Sequence, residues 1–151
     1  MGVRAAREDD LPALSRVVDA TGLFPGEMLA GMMRPYLDGS DQSFWLTFED
    51  GDAIGVVFVE PERMTAGTWN QLLVAVHPDR QGQGVGAQLL TAVERRVAQD
   101  LGGHLLLVET SADPAFDGTR RFYERLRYQR LAAIDDFYRP GEGKVIYGKR
   151  L

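Results

Sequence analysis

No cysteine occurs in the 151 residues, so disulfides, thiolate metal sites and cysteine nucleophiles are excluded. Histidine is nearly as scarce. His77 and His104 are far apart, with no i,i+4 or H-E-x-x-H arrangement, so no catalytic zinc centre is expected. Lone histidines near strand ends usually satisfy local hydrogen bonds, and both are read as structural. No apolar run approaches membrane-spanning length, and the opening M-G-V-R-A-A-R-E-D-D carries no hydrophobic leader, so no membrane is expected as partner and the cytoplasm is the expected location. Excess positive charge is also missing. A net charge of −5 argues against broad nucleic-acid or anionic-membrane binding, though not against a local basic groove. There is no internal repeat, low-complexity tract or linker. What is present, 44% apolar and 26% charged residues, suits a soluble globule, and residues 1–151 suffice for one domain with a real core.

The most informative stretch is Trp69 to Leu90, W-N-Q-L-L-V-A-V-H-P-D-R-Q-G-Q-G-V-G-A-Q-L-L. Trp69 to Val76 is short, apolar and rich in branched residues, the pattern of a buried strand. Pro78 ends it, because proline supplies no ladder donor. Gly82, Gly84 and Gly86 then crowd into five positions, directly before a helical pattern. Glycine lets backbone N–H groups approach an anion, and a helix N-terminus adds unpaired donors and the positive end of the dipole. Strand, glycine turn and helix start are the parts of a phosphate cradle.

The remaining elements follow from pattern. Val3 to Ala6 reads as a strand. A helix capped by Asp9 or Asp10 carries Leu11, Leu14, Val17 and Val18 and stops at Gly22. A second helix begins at Pro25-Gly26, with Pro35 expected to kink or shorten it. Ser43 to Phe48 and Ala53 to Val59, joined by E-D-G-D, form the clearest hairpin. After strand 68–76 come a helix from about Gly84 to Leu101, a buried strand over His104 to Val108, and a helix from Asp117 to about Arg127. Tyr128 to Ile134 and Lys144 to Leu151 close the chain as an antiparallel pair, with D-D-F-Y-R-P-G-E-G too long for a tight hairpin. Strands 69–76 and 104–108 flank a helix and should be parallel. The fold class is α/β (mixed α+β): one mixed, mostly antiparallel sheet of about seven strands, with helices on both faces.

That order, with Gln81-Gly82-Gln83-Gly84-Val85-Gly86 after V-A-V-H-P and before F-Y-E-R-L-R-Y, resembles the GNAT family of acyl-CoA-dependent N-acyltransferases over essentially the whole chain. The family's pyrophosphate pattern is Q/R-x-x-G-x-G/A. The resemblance implies acetyl-CoA or coenzyme A as cofactor, with its diphosphate on residues 81 to 87, Ala87 included, through backbone more than side chains. It also implies a splayed parallel strand pair whose edge, Leu73, Val74, Ala75 and Val76, pairs with the pantetheine arm and carries a bulge that frees an amide for the thioester carbonyl. The amide of Ala75 would hold the thioester oxygen, and Tyr123 would protonate the departing sulfur. Phe116-Asp117-Gly118-Thr119 stands where the family has Asn-x-x-Ala, so Thr119 is the expected coenzyme contact there. Where members often carry a glutamate base this chain has Asn70, which cannot titrate but can orient an amine. Glu109 and Glu27 are substitutes, and water relaying the proton is a third route. The acceptor pocket would be lined by Phe24, Glu27, Met28, strand 69–71 including Asn70, and Asp135, Asp136, Phe137 and Tyr138, a set suited to a small cationic amine.

The implied activity is N-acetylation of a primary amine, on a small molecule or peptide, by direct attack in a ternary complex. No nucleic acid or metal is involved, and a second copy of the chain stays open as a partner. Two other readings compete. Gly82-x-Gly84-x-x-Ala87 also matches a nicotinamide-dinucleotide fingerprint, with Glu109 as ribose ligand. Against an NAD(P)-binding oxidoreductase, five residues separate Val76 from Gly82 and only one β-α-β unit is present. A non-catalytic acyl-CoA sensor is the third, given Asn70. An ATP P-loop fails, since no Lys-Ser/Thr follows the glycines.

Overall fold

The computed structural model describes residues Met1–Leu151. In chain order it contains β1 (Gly2–Ala5), α1 (Leu11–Thr21), α2 (Leu29–Leu37), β2 (Phe44–Asp50), β3 (Asp52–Pro61), β4 (Thr68–Val76), α3 (Val85–Arg95), β5 (Leu105–Ser111), α4 (Asp117–Arg125), β6 (Gln129–Arg139) and β7 (Glu142–Arg150). One sheet orders them β1-β2-β3-β4-β5-β7-β6. Every pairing is antiparallel except β4 with β5. The alternation of strand side chains divides the core between the two faces. Phe44, Leu46 and Phe48 of β2 point to the side covered by α3, while Trp45 points to the side covered by α1 and α2. No helix is long and apolar enough to cross a membrane.

The parallel contact is short, and that shortness positions the site. Thr68–Gln71 pair with Leu105–Val108 and no further. Beyond them β4 stays on β3 as far as Val76, and β5 stays on β7 as far as Ser111. The sheet therefore splits between the second half of β4 and the end of β5. A bulge marks the split: Val59 faces Gln71 and Phe58 faces Leu73, leaving Leu72 without a partner. Just below, Gln71 Nε2 donates to Tyr128 Oη at 3.2 Å, and Tyr128 donates to Glu94 at 2.9 Å. Lys149 also pairs with Glu94, at 2.9 Å. This buried chain of contacts ties β4, α3, β7 and the end of α4 together below the opening.

The helix expected from about Gly84 to Leu101 runs continuously from Val85 to Asp100, its last residues, Arg96–Asp100, widened into a π turn. Pro35 does not break α2, which runs on to Leu37. The long loop expected between the last two strands is a tight connection at Pro140-Gly141. The extra residues are a bulge in β6, where Ile134 faces Lys144 and Arg139 faces Glu142.

Asp10 does not cap α1 with its side chain. Its carboxylate instead receives Arg4 at 2.7 and 2.8 Å and the Arg7 N–H at 2.7 Å. The Arg4 guanidinium holds the Asp10 carboxyl below the usual carboxylate range. A lowered folded-state pKa means stability that is present above the unfolded value, near pH 4, and lost as pH falls through the folded one. Asp10→Asn is expected to cost about 2 kcal/mol at neutral pH. It should also flatten the acid limb of stability against pH, measured by urea unfolding.

Candidate active site

The turn after β4 is built from its own side chains. The His77 N–H donates to Ile54 O at 2.9 Å, and His77 Nδ1 accepts the Asp79 N–H at 3.2 Å. The second of these is the local structural role expected of the imidazole, and no cluster of metal-ligating side chains exists. Gln81 Nε2 donates to Val76 O at 3.0 Å, and Gln83 Oε1 accepts from Arg80 at 3.1 Å. The glutamine side chains are thus spent on the turn itself. Gly84, at φ +85°, and Gly82, at φ +75°, lie in the left-handed region where a Cβ is strained. Gly84 caps α3, whose first internal bond runs from the Gln88 N–H to Gly84 O at 3.0 Å. The N–H groups of Val85, Gly86 and Ala87 consequently have no partner within the helix.

Opposite this turn stands α4. Between them lies a cleft of about 630 Å³. Its first wall is Val74, Val76, Arg80, Gln81, Gly82 and the start of α3 from Gly84 to Ala87. Its second is Ala115, Gly118, Thr119, Phe122, Tyr123 and Leu126, with Arg125. The two walls meet where Phe122 packs on Gly86, so closely that an added Cβ would sit 3.0 Å from the ring. Of the residues expected at the coenzyme, Leu73, Ala75 and Gln83 do not line this cleft. Leu73 and Ala75 are buried in the α1–α2 core instead. Arg80, Ala115, Gly118, Phe122, Arg125 and Leu126 line it without having been singled out. On α4 the signal was the helical spacing 115, 118/119, 122, 126, which faces one side.

The direction of the β4 amides is set by the ladder. His77 donates to β3, so alternation turns the N–H groups of Ala75 and Leu73 toward β3 as well. Those of Val74 and Val76 turn the other way, into the split. Val76 O points the same way, since it receives Gln81. The oxyanion donor assigned to Ala75 is therefore corrected: its amide is engaged in the sheet, and Val74 is the residue whose N–H faces the opening.

Tyr123 is 5% exposed, among Phe122, Tyr147 and Tyr128 at centroid distances of 5.5, 6.0 and 6.2 Å. Burial pushes its phenol well above the ordinary tyrosine value, with nearby Tyr138 adding to the rise, so it holds its proton. On the other side of β4, Asn70 is 3% exposed. Its Nδ2 donates to Glu62 at 2.8 Å, while its Oδ1 is buried without a partner. Glu109 is no unengaged base, since Lys144 Nζ sits 2.5 Å from its carboxylate. Lys144 also lies 3.9 Å from the centre of the Phe137 ring. Phe137 and Tyr138 stand half-exposed on the β6 bulge, edge to face at 5.1 Å. Asp136 shapes that bulge by accepting the Gly141 N–H at 2.7 Å. Glu27 and Met28 are exposed on the turn before α2, and Phe24 packs partly into the α1–α2 core.

Residues 40–130 match the family model described as an acetyltransferase (GNAT) domain. A crystal structure from Desulfovibrio desulfuricans assigned to the GNAT acetyltransferases is 32% identical, with 99% of this chain and 98% of that one covered at a TM-score of 0.88. An aminoglycoside 6'-N-acetyltransferase complexed with coenzyme A superposes at a TM-score of 0.80 and 16% identity, covering 99% and 97%. The ribosomal-protein-S18-alanine N-acetyltransferase of Escherichia coli does so at 0.76 and 20%, covering 98% and 92%. At those lower identities the likeness is one of fold. No curated protein matches the chain.

Proposed function

The chain belongs to the GNAT family of acetyltransferases, and we propose that it transfers an acetyl group from acetyl-CoA to a primary amine of a small molecule or peptide, both bound at once. The observation that carries this reading is the split sheet. Two backbone amides, Val74 and Val76, turn into an opening that leads to the unpaired N–H groups of α3. An amide-rich pantetheine arm can pair with such an edge as a strand would, and a diphosphate suits the helix start. Acetyl-CoA supplies an activated acyl group and a thiol leaving group. The residues of the chain do the rest. The Val74 N–H meets the carbonyl oxygen as charge gathers on it, and Tyr123 offers its retained proton to the sulfur and regains one from the water that takes up the amine's proton. Asn70 Oδ1, fixed by the bond from its amide to Glu62, is an acceptor that orients the amine. With Glu109 held by Lys144, the amine's proton leaves through water. A dinucleotide-binding oxidoreductase is disfavoured because β4–α3–β5 is the sole parallel unit.

Tyr123→Phe tests the chemistry. Turnover in a free-thiol assay is expected to fall about tenfold, less than a full general-acid effect because a thiolate departs partly unaided. Affinity for acetyl-CoA should be unchanged, and equal turnover would remove Tyr123 from the reaction. For the cofactor, acetyl-CoA and coenzyme A should raise the melting temperature while NAD and NADP do not. Stabilisation by the nicotinamide cofactors alone would reverse the reading.

A further inference from the structure

Two charged side chains, Arg80 and Arg125, are the ionic groups lining the cleft between the glycine turn and α4. They are not equivalent. Arg80 is already engaged: its guanidinium lies 2.5 Å from Asp50 of the β2–β3 turn and also donates to Gln83 at 3.1 Å. Its charge is largely neutralised, and its geometry is fixed by the turn. Arg125, at the last position of α4, is exposed and has no carboxylate within ion-pair distance. In a chain of net charge −5 this is an unneutralised cation on the wall of a cleft suited to a polyanion.

Resting on the acetyl-CoA reading above, we infer that Arg125 recognises the 3′-phosphate of the coenzyme's ribose and so discriminates coenzyme A from its dephosphorylated form. Coenzyme A carries two anionic parts. Its diphosphate is met by main-chain N–H groups at the start of α3, which give direction and partial charge. The 3′-phosphate is a separate dianion with no such cradle, and it calls for a full positive charge with forked donors. Arg125 provides that charge from the wall facing the cradle. Its long, unpaired side chain can follow a phosphate at the cleft's mouth.

Isothermal titration calorimetry with coenzyme A and with 3′-dephospho-coenzyme A tests the assignment on the wild type, Arg125→Gln and Arg125→Lys. The wild type is expected to bind coenzyme A about five- to tenfold more tightly than the dephosphorylated form, the size of a half-exposed charge-assisted contact. Arg125→Gln should bind coenzyme A as weakly as the wild type binds the dephosphorylated ligand, with affinity for the latter unchanged. Arg125→Lys should keep most of the preference. A loss that is equal for both ligands would assign Arg125 to the diphosphate or to the end of α4 and overturn the inference. So would an intact preference in Arg125→Gln, whatever its melting temperature. A wild type that binds neither ligand would instead bring down the acetyl-CoA reading itself, and this inference with it.

Discussion

Val74→Pro is expected to fold, to bind acetyl-CoA within a few-fold of the wild type, and to turn over about a hundred- to a thousandfold more slowly, the usual effect of removing one oxyanion donor. Proline removes a single N–H. In a paired strand that deletion breaks the ladder, but proline is tolerated where the N–H side faces away from a neighbouring strand. At Val74 the amide faces the split, so the β3 ladder is untouched. Ala75→Pro is the control. There the amide bonds β3, Ala75 is buried in the α1–α2 core, and the substitution should cost about 3 kcal/mol or more of stability. Circular dichroism melts alongside acetyl-CoA titrations and steady-state rates separate the two. If Ala75→Pro were the folded, slow enzyme and Val74→Pro the unfolded one, it would be the Ala75 amide that faces the split and the Val74 amide that bonds β3.

That pair of variants also shows where reading the chain from its residues stops. The strand, the turn and the helix start were legible because each has a chemical signature: a run of branched residues, a proline, three closely spaced glycines. The parallel pairing followed from a helix lying between two strands, and the order of elements along the chain is as expected. A bulge was expected from the resemblance within Leu73–Val76, but its place one residue earlier, at Leu72, was not legible. Within W-N-Q-L-L-V-A-V nothing distinguishes one leucine from the next, and only the pairing with β3, counted back from His77, shows that the amide of Val74 and not that of Ala75 faces the split. The β6 bulge escaped for the opposite reason. Its acidic and aromatic residues with Pro140-Gly141 resemble a loop, and only the pairing of Ile134 and Arg139 with β7 on either side makes them a bulge within a strand.

Side-chain partnerships were the other blind spot. Glu109 and Lys144 lie 35 positions apart in the chain and meet because β5 and β7 are neighbours, so a candidate base becomes half of an ion pair. Asn70 gains its orientation from Glu62, eight residues earlier, across the β3–β4 connection. Both consequences bear on catalysis. A fixed amide with an unpaired, buried oxygen can orient an amine but cannot take its proton. The rate should therefore rise with pH as the amine itself loses its proton, following the acceptor's pKa rather than that of a residue near the acyl group.

The cradle gives the other large expected effect. Gly84→Val should weaken coenzyme A binding more than a hundredfold while leaving the protein folded at 25 °C. Gly84 lines the cleft and sits at φ +85°, which a β-branched side chain resists by at least 1–2 kcal/mol. No atom lies within 4 Å of the added Cβ, so the strain is conformational and not a clash with the core. The backbone relieves it by rotating toward ordinary φ, and that rotation swings the N–H groups of Val85 and Gly86 away from a common point. Losing two charge-assisted bonds of about 1.5–3 kcal/mol each exceeds the 2.7 kcal/mol that corresponds to a hundredfold change. Calorimetric titration with coenzyme A, beside a thermal melt, reads both quantities. An unchanged affinity in a folded Gly84→Val protein would mean that the turn does not grip the diphosphate. Gly86→Ala makes the milder comparison: φ there is ordinary, and only the edge of the Phe122 ring must give way. Its affinity should fall by no more than about fivefold, since the ring end moves at a cost of less than 1 kcal/mol.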